Sequence, residues 1–231
     1  PAMALQRVRS PELEHDVGRT PNLGYEPAGT YGFVRFLEHG FPNPLVRWHY
    51  HEEYELHLIV ATRGKVFVGD YIGQFEPGHL VLTGPRLPHN WISTEVPEGG
   101  VALRDMVLQF ADAPLRQAAA QIPELAEALP LLERARYGIE FFGLSERMRE
   151  RITRVKQLHG LQRFAEFTEL LGELAGSNDY RLLSTVQLQS FDDDAALARI
   201  SGIVDFLTEH YSENFSMADL CARLDMTESS F

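Results

Sequence analysis

One cysteine, Cys221, stands in 231 residues. No internal disulfide framework can therefore hold this fold, and a reducing, cytoplasmic setting is expected. No run approaches the ~20 apolar residues that span a bilayer. The first residues lack a basic segment followed by an apolar stretch, so neither a membrane span nor a signal peptide is expected. Positive charge is scarce as well: 21 Lys and Arg stand against 33 Asp and Glu, a net charge of −12. That balance argues against a surface that coats nucleic acid through clustered Lys and Arg. It describes an average, and leaves room for a small reading head. Internal repeats and low-complexity tracts are also missing. What is present, 44% hydrophobic and 23% charged residues, is an ordinary folded composition, at a length that suits one large domain or a medium domain with a small one.

Residues 1–30, with Pro11, Pro21 and Pro27 among mixed charges, read as an irregular lead-in. From Tyr31 to Phe110 short apolar or alternating runs are separated by turn signals such as Arg63-Gly64, Gly69-Asp70 and Glu76-Pro77-Gly78. Six or more short strands at that spacing predict a β-sandwich or β-barrel over 31–110. Beyond Ala111 the period becomes helical. Leu115–Gln121 and Glu124–Arg134 read as short helices. Ser145 is expected as the N-cap of a helix over 146–158 with Met148, Ile152 and Val155 on its apolar face, which forms an αα-hairpin with 161–175, whose expected stripe is Leu161, Phe164, Ala165, Thr168, Leu171 and Ala175. Region 111–191 is thus read as helical cover, dimerisation surface and connector, with a boundary near Asp192–Asp194.

Within the β region stands Trp48-His49-Tyr50-His51-Glu52-Glu53-Tyr54-Glu55, followed at a distance by Pro88-His89-Asn90-Trp91. His49, His51 and Glu55 share parity, so on one extended strand they face one side. With His89 arriving from another strand, two or three imidazoles and a carboxylate suit a divalent transition metal, Zn, Ni, Fe or Mn. His57 and Glu53 have the same parity, and Trp91 shares that of His89; these three are the candidate effector pocket. Tyr54 and Trp48 have the opposite parity and are expected on the outside, against the helices. Two other readings of the His/Glu set stay open, an organic ligand bound without metal and a hydrogen-bonded polar core.

This region resembles the cupin superfamily, small double-stranded β-barrels with two sequence motifs. His49, His51, Glu55 and Gly64 match the first; Pro77, Gly78, Pro85, Pro88 and His89 match the second. The resemblance implies metal ligation by His49, His51, Glu55 and His89. The gap from Glu55 to Gly64 is longer than usual, the upstream glycine is missing, and His79 stands where aspartate is frequent.

From Arg199 the chain changes character again. Ile200, Ile203, Val204, Leu207 and Tyr211 mark one helix face; Met217, Leu220, Cys221 and Leu224 mark a second, short helix. Asp225-Met226-Thr227 turns the chain into a third helix starting at Glu228. Short helix, turn and capped helix make a helix-turn-helix. Placed after a cupin-like region, Phe215–Phe231 resembles the first helix-turn-helix of the AraC-type bacterial transcription regulators, with Cys221 and Asp225 at points where alanine and glycine are usual. The resemblance implies an α+β chain: an N-terminal double-stranded β-barrel (cupin), a helical hairpin, and the start of an all-α DNA-binding domain over 192–231, in which Thr227, Glu228, Ser229 and Ser230 begin the DNA-facing part.

The family's domain continues beyond the point where this sequence stops. From residue 199 onward two arginines face six carboxylates, so DNA is the expected partner of the full-length protein and not of this fragment. The sequence thus points to a ligand-responsive regulator, not an enzyme. It is expected to be homodimeric and to sense a small polar effector such as a sugar or related metabolite, with no membrane partner. The alternative is a metal-dependent cupin enzyme, an isomerase or dioxygenase.

Overall fold

The computed structural model describes residues 12–13, 34–43 and 47–185. In chain order these form β1 (Glu12–Leu13), β2 (Val34–Phe41), β3 (His49–Tyr50), β4 (Glu53–Ile59), β5 (Arg63–Val68), β6 (Tyr71–Phe75), β7 (Leu80–Thr83), β8 (His89–Glu95) and β9 (Val101–Ala111). Then come α1 (Asp112–Ala119), α2 (Pro123–Ala126), α3 (Leu129–Ala135), β10 (Ile139–Phe141), α4 (Ser145–Gln157), α5 (Gly160–Gly176) and β11 (Tyr180–Leu182).

Two sheets result. One has the order β1-β3-β8-β5-β6, the other β11-β10-β7-β4-β9-β2. The pairings with described register are all antiparallel. Among the described residues the hydrogen bonds do not close the strands into a ring, so the architecture is two sheets rather than the closed barrel expected.

Side-chain alternation on the six-stranded sheet sets the layers. On β4, Tyr54, Leu56 and Leu58 face one way; on β9, Met106, Leu108 and Phe110 do; on β7, Leu80 and Leu82 do. All join one buried cluster with Leu115, Leu131, Met148, Ile152, Phe167 and Leu171 of the helices. Tyr54 is therefore where the parity put it, stacked on Phe110 with centroids 5.1 Å apart. Its hydroxyl donates to Asp112 Oδ1 at 2.8 Å, which ties α1 to the sheet. Trp48 is half-buried and does not join that cluster. The opposite faces of β4 and β7 supply Ile59 and Val81 to a second, smaller core with Val66, Val68, Phe75, Leu87 and Trp91 of the other sheet and its loops.

Several expectations change. The helix expected over 124–134 is two, because Pro130 lies in the first turn of α3, where its missing N–H costs nothing and its fixed φ starts a new helix. Ser145 begins α4 instead of capping it; Leu144 is the N-cap, with no side-chain hydrogen bond. The region read as helical cover also gives β10 and β11, which extend the six-stranded sheet beyond β7. The lead-in contains the two-residue β1. The hairpin's bounds match closely and α4 carries Met148, Ile152 and Val155 inward as expected, but α5 buries Phe167, Leu170, Leu171 and Leu174, sharing only Leu171 with the expected stripe and leaving Leu161 and Ala165 exposed. The boundary near 192–194 and the helix-turn-helix residues Thr227, Glu228, Ser229 and Ser230 lie outside the described residues. No described helix is long and apolar enough to cross a membrane.

Candidate metal centre and the interior cavity

The ligand-bearing segment does not run as one strand. β3 ends at Tyr50 in the five-stranded sheet, the chain turns at His51-Glu52, and β4 begins at Glu53 in the six-stranded sheet. His49 pairs directly with His89 on β8. Glu55 approaches from the other sheet, with Gln109 of β9 and Thr83 of β7 beside it in register. His51 sits in the corner. One potential ligand atom from each of His49, His51, Glu55 and His89 lies within 4.8 Å of the others. His51, Glu55 and His89 are buried.

The hydrogen bonds around the three rings have one pattern. His49 Nδ1 lies 2.7 Å from Arg47 O, His51 Nδ1 3.0 Å from Glu53 O, and His89 Nδ1 2.7 Å from Leu87 O. A carbonyl oxygen only accepts, so each Nδ1 carries its proton, an assignment made from heavy-atom geometry. In the neutral rings Nε2 is then a bare lone pair. His51 Nε2 lies 3.0 Å from Glu55 Oε2 and His89 Nε2 3.6 Å from Glu55 Oε1. His89 Nε2 is buried with no hydrogen-bond partner. Lone pairs thus converge on lone pairs, and the cluster needs positive charge at its centre. A proton relieves one contact; a divalent ion relieves all of them, with the ring orientations already fixed by backbone carbonyls. The residues fit a transition metal. Bound there, it would be held by His49, His51, Glu55 and His89 and would supply Lewis-acid polarisation of an oxygen ligand.

The Glu55 carboxylate calls for that positive charge: burial works against it, but a hydrogen bond from His51, made when Nε2 also carries a proton, and the fields of His51, His89 and His57 outweigh it and hold the group well below the usual range. Burial pushes the His89 imidazolium down to about 4, so the ring is neutral at pH 7.

Three residues that sequence reasoning passed over complete the surroundings. Gln109 Nε2 donates to Glu55 Oε2 at 2.8 Å, and its Oε1 accepts from Arg35 Nη1 at 2.8 Å, which fixes the amide orientation. Asp105 lies between His39 Nδ1 (2.6 Å) and His57 Nε2 (3.3 Å). Burial raises its pKa, yet the His57 field and the hydrogen bonds to both histidines more than offset this. Arg104, buried beside it, donates to Asp105 Oδ2 at 3.0 Å and to Ser93 Oγ at 2.9 Å. The available signal was the alternation of β9, which sends Asp105 and Gln109 to the face opposite Met106 and Leu108.

The candidate effector residues divide. His57 and Trp91 are in contact, ring centroids 3.9 Å apart, and both line an interior cavity with His49, Glu55, Asp105 and Gln109. Glu53 is not part of that lining; its carboxylate lies 3.8 Å from His51 Nδ1. The cavity holds about 40 Å³, whereas sites that enclose organic ligands run to ~300–1,000 Å³.

No protein-family model matches the chain, and no curated protein matches it. Among solved structures it is similar to ToxT from Vibrio cholerae O395 bound to (E)-4-(8-methylnaphthalen-1-yl)but-3-enoic acid. That match is 11% identical over 85% of this chain and 73% of that one, with a TM-score of 0.37. It is also similar to an apo ToxT variant from Vibrio cholerae strain SCE256 (10% identity, 86% and 72% coverage, TM-score 0.38). A third match is the AraC-like transcriptional activator CuxR (9% identity, 85% and 65% coverage, TM-score 0.32). Likenesses at these scores carry no argument about fold or function.

Proposed function

We propose that this chain is a ligand-responsive transcription regulator of the AraC type, acting in the cytoplasm. Its cupin-like β region carries a divalent metal, Zn, Ni, Fe or Mn, on His49, His51, Glu55 and His89, and region 192–231 belongs to the DNA-binding end. The observation that carries this reading over catalysis is the size of the interior cavity. His49 and Glu55 of the cluster line a partly open recess of about 40 Å³, room for a water molecule or two, which favours an ion held in place over one presented to an enclosed organic substrate. Metal-dependent isomerisation or dioxygenation needs the substrate at the metal, so the same ligand set serves here to hold and sense. The helical hairpin serves as the homodimer contact, with Leu161 81% exposed near its turn.

Three measurements test the reading. Elemental analysis of the purified protein should find stoichiometric transition metal, lost in His49→Ala and His89→Ala; a metal-free parent removes the metal from the proposal. Chromatin immunoprecipitation from cells that make the protein should enrich discrete promoter sites. Multiple turnovers of a sugar or small acid by the Fe-, Mn- or Ni-loaded protein would establish the enzyme instead.

A further inference from the structure

The chain leaves β11 along a segment that is fastened at its donors. Leu183 N donates to Gly138 O at 3.0 Å, and Ser184 N to Tyr137 O at 2.7 Å. Three further donors of residues 184 and 185 go to one carboxylate. Ser184 Oγ donates to Asp70 Oδ1 at 2.6 Å, Thr185 N to the same oxygen at 2.8 Å, and Thr185 Oγ1 to Asp70 Oδ2. Hydrogen bonds to an ionised acceptor are the stronger kind. Leu183 and Ser184 are buried, whereas Asp70 and Thr185 are exposed. The outer part of the fastening can therefore open locally without unpacking a core.

The position of Asp70 explains why one side chain reaches all three donors. It stands with Gly69 in the two-residue turn between Val68 of β5 and Tyr71 of β6. Gly69 has φ +57°, and a Cβ there would lie 2.8 Å from Ser184 Cβ. Glycine gives the turn both its conformation and its close approach to the outgoing chain.

The same turn is bonded to the strand that carries a metal-cluster residue. Val68 pairs with His89 in register, and Gly69 N donates to Pro88 O at 2.8 Å. On its other side His89 pairs with His49, and its Nδ1 donates to Leu87 O at 2.7 Å. Leu87, 2% exposed, packs in one buried cluster with Val68 and Leu183. Residues 87–89 thus touch the candidate centre on one side and both parts of the fastening on the other. His89 Nε2 has no hydrogen-bond partner, so hydrogen bonding holds the ring at one end. An ion at Nε2 would hold it at both and stiffen residues 87–89, against which the Gly69-Asp70 turn is built.

We propose that the Asp70 carboxylate is a latch on the outgoing chain, tightened through residues 87–89 and Val68 when metal occupies the His49, His51, Glu55 and His89 cluster. Metal occupancy is then felt at Thr185, from which the sequence runs on to region 192–231. The coupling rests on the metal ligation proposed above; the latch does not. Linkage makes the effect reciprocal, so opening the latch weakens the ion by the same factor.

Amide hydrogen exchange followed by NMR on the full chain tests this, metal-free and with saturating zinc, alongside zinc affinity from chelator competition. Thr185 N–H reports on the latch. Phe142 N–H is the control, since it donates to Asp179 O at 3.0 Å at the opposite end of the β10–β11 pair. In metal-free protein Asp70→Ala should speed Thr185 exchange roughly tenfold or more, the loss of a charge-assisted hydrogen bond, and leave Phe142 unchanged. Asp70→Asn, which keeps one acceptor oxygen, should fall between. Zinc should slow Thr185 about fivefold or more beyond any slowing at Phe142, and Asp70→Ala should bind zinc about fivefold more weakly with all four ligands in place. Unchanged Thr185 exchange in Asp70→Ala would overturn the latch. Stoichiometric zinc with no slowing at Thr185, or with equal slowing at both amides, would overturn the coupling and leave the metal reading standing. A chain that takes up no zinc would overturn the coupling together with that reading.

Discussion

The two oxygens of Glu55 have different neighbours, and the difference makes one amide decisive. Oε1 faces His89 at 3.6 Å, while Oε2 lies 3.0 Å from His51 and 2.8 Å from Gln109. Arg35 on Gln109 Oε1 leaves Nε2 no choice but to donate to Glu55. Gln109→Leu keeps a similar side-chain volume and removes that donor. It should cost about 10–100-fold in metal affinity, the usual effect of an outer partner, measured by competition with a chromophoric chelator; an unchanged affinity would remove Gln109 from the site. Asp70 bears on pH. Burial raises its pKa, but hydrogen bonds from Ser184 Oγ, Thr185 Oγ1 and Thr185 N outweigh it and lower the value. A depressed folded pKa gives stability that is full above the unfolded value of about 3.9 and is lost as pH falls through the folded one. Asp70→Asn should therefore flatten the acid limb of Tm against pH below about pH 4. The convergence of His49, His51, Glu55 and His89 was legible, yet the reason offered was incomplete. A single strand was assumed, whereas a turn at His51-Glu52 divides it between sheets. Equal parity survives that turn here, and no propensity distinguishes the two cases. The motif glycine has a plain physical basis: a Cβ on Gly64 would lie 1.9 Å from Ile92 O.

At the scale of elements, legibility followed length. α4 and α5 each run three turns or more, so their existence and bounds were anticipated within a residue or two, and the inward face of α4 was legible while that of α5 was not, because apolar residues occur on both of its faces. β10 and β11 are three residues each. No alternation can be established over so short a run, and Ile139–Phe141 is placed by pairing with β7 rather than by its own pattern. The hairpin is held to the sheet by an aromatic chain in which Tyr54 stacks on Phe110 and Phe167 meets Phe110 edge-to-face, with centroids 5.1 and 5.0 Å apart. Phe167 is fully buried. Phe167→Ala should cost about 3–5 kcal/mol in urea unfolding, while leaving the metal ligands intact. A loss below 1 kcal/mol would mean that α5 is not docked on this face.

Across the whole of the described region, the six-stranded sheet is a shared wall with a helical core on one side and the candidate centre on the other. The composition could announce such a core but not its division, since the strands that form it are the same that carry Glu55, Asp105 and Gln109. The cluster draws on both sheets, with residues 49–55 meeting residue 89 and being braced by residue 109. These groups converge only after β3 has found β8 and β4 has found β9. A metal ion at this cluster would therefore have nothing complete to bind until the sheets are assembled, and its binding energy would belong to the native side of the folding barrier. In stopped-flow experiments, saturating zinc should slow unfolding and shift the midpoint of the chevron while leaving the refolding limb where it was. The turn at His51-Glu52 would thus set an order in time for a metal held there: last to arrive in folding, and a brake on the first step of coming apart.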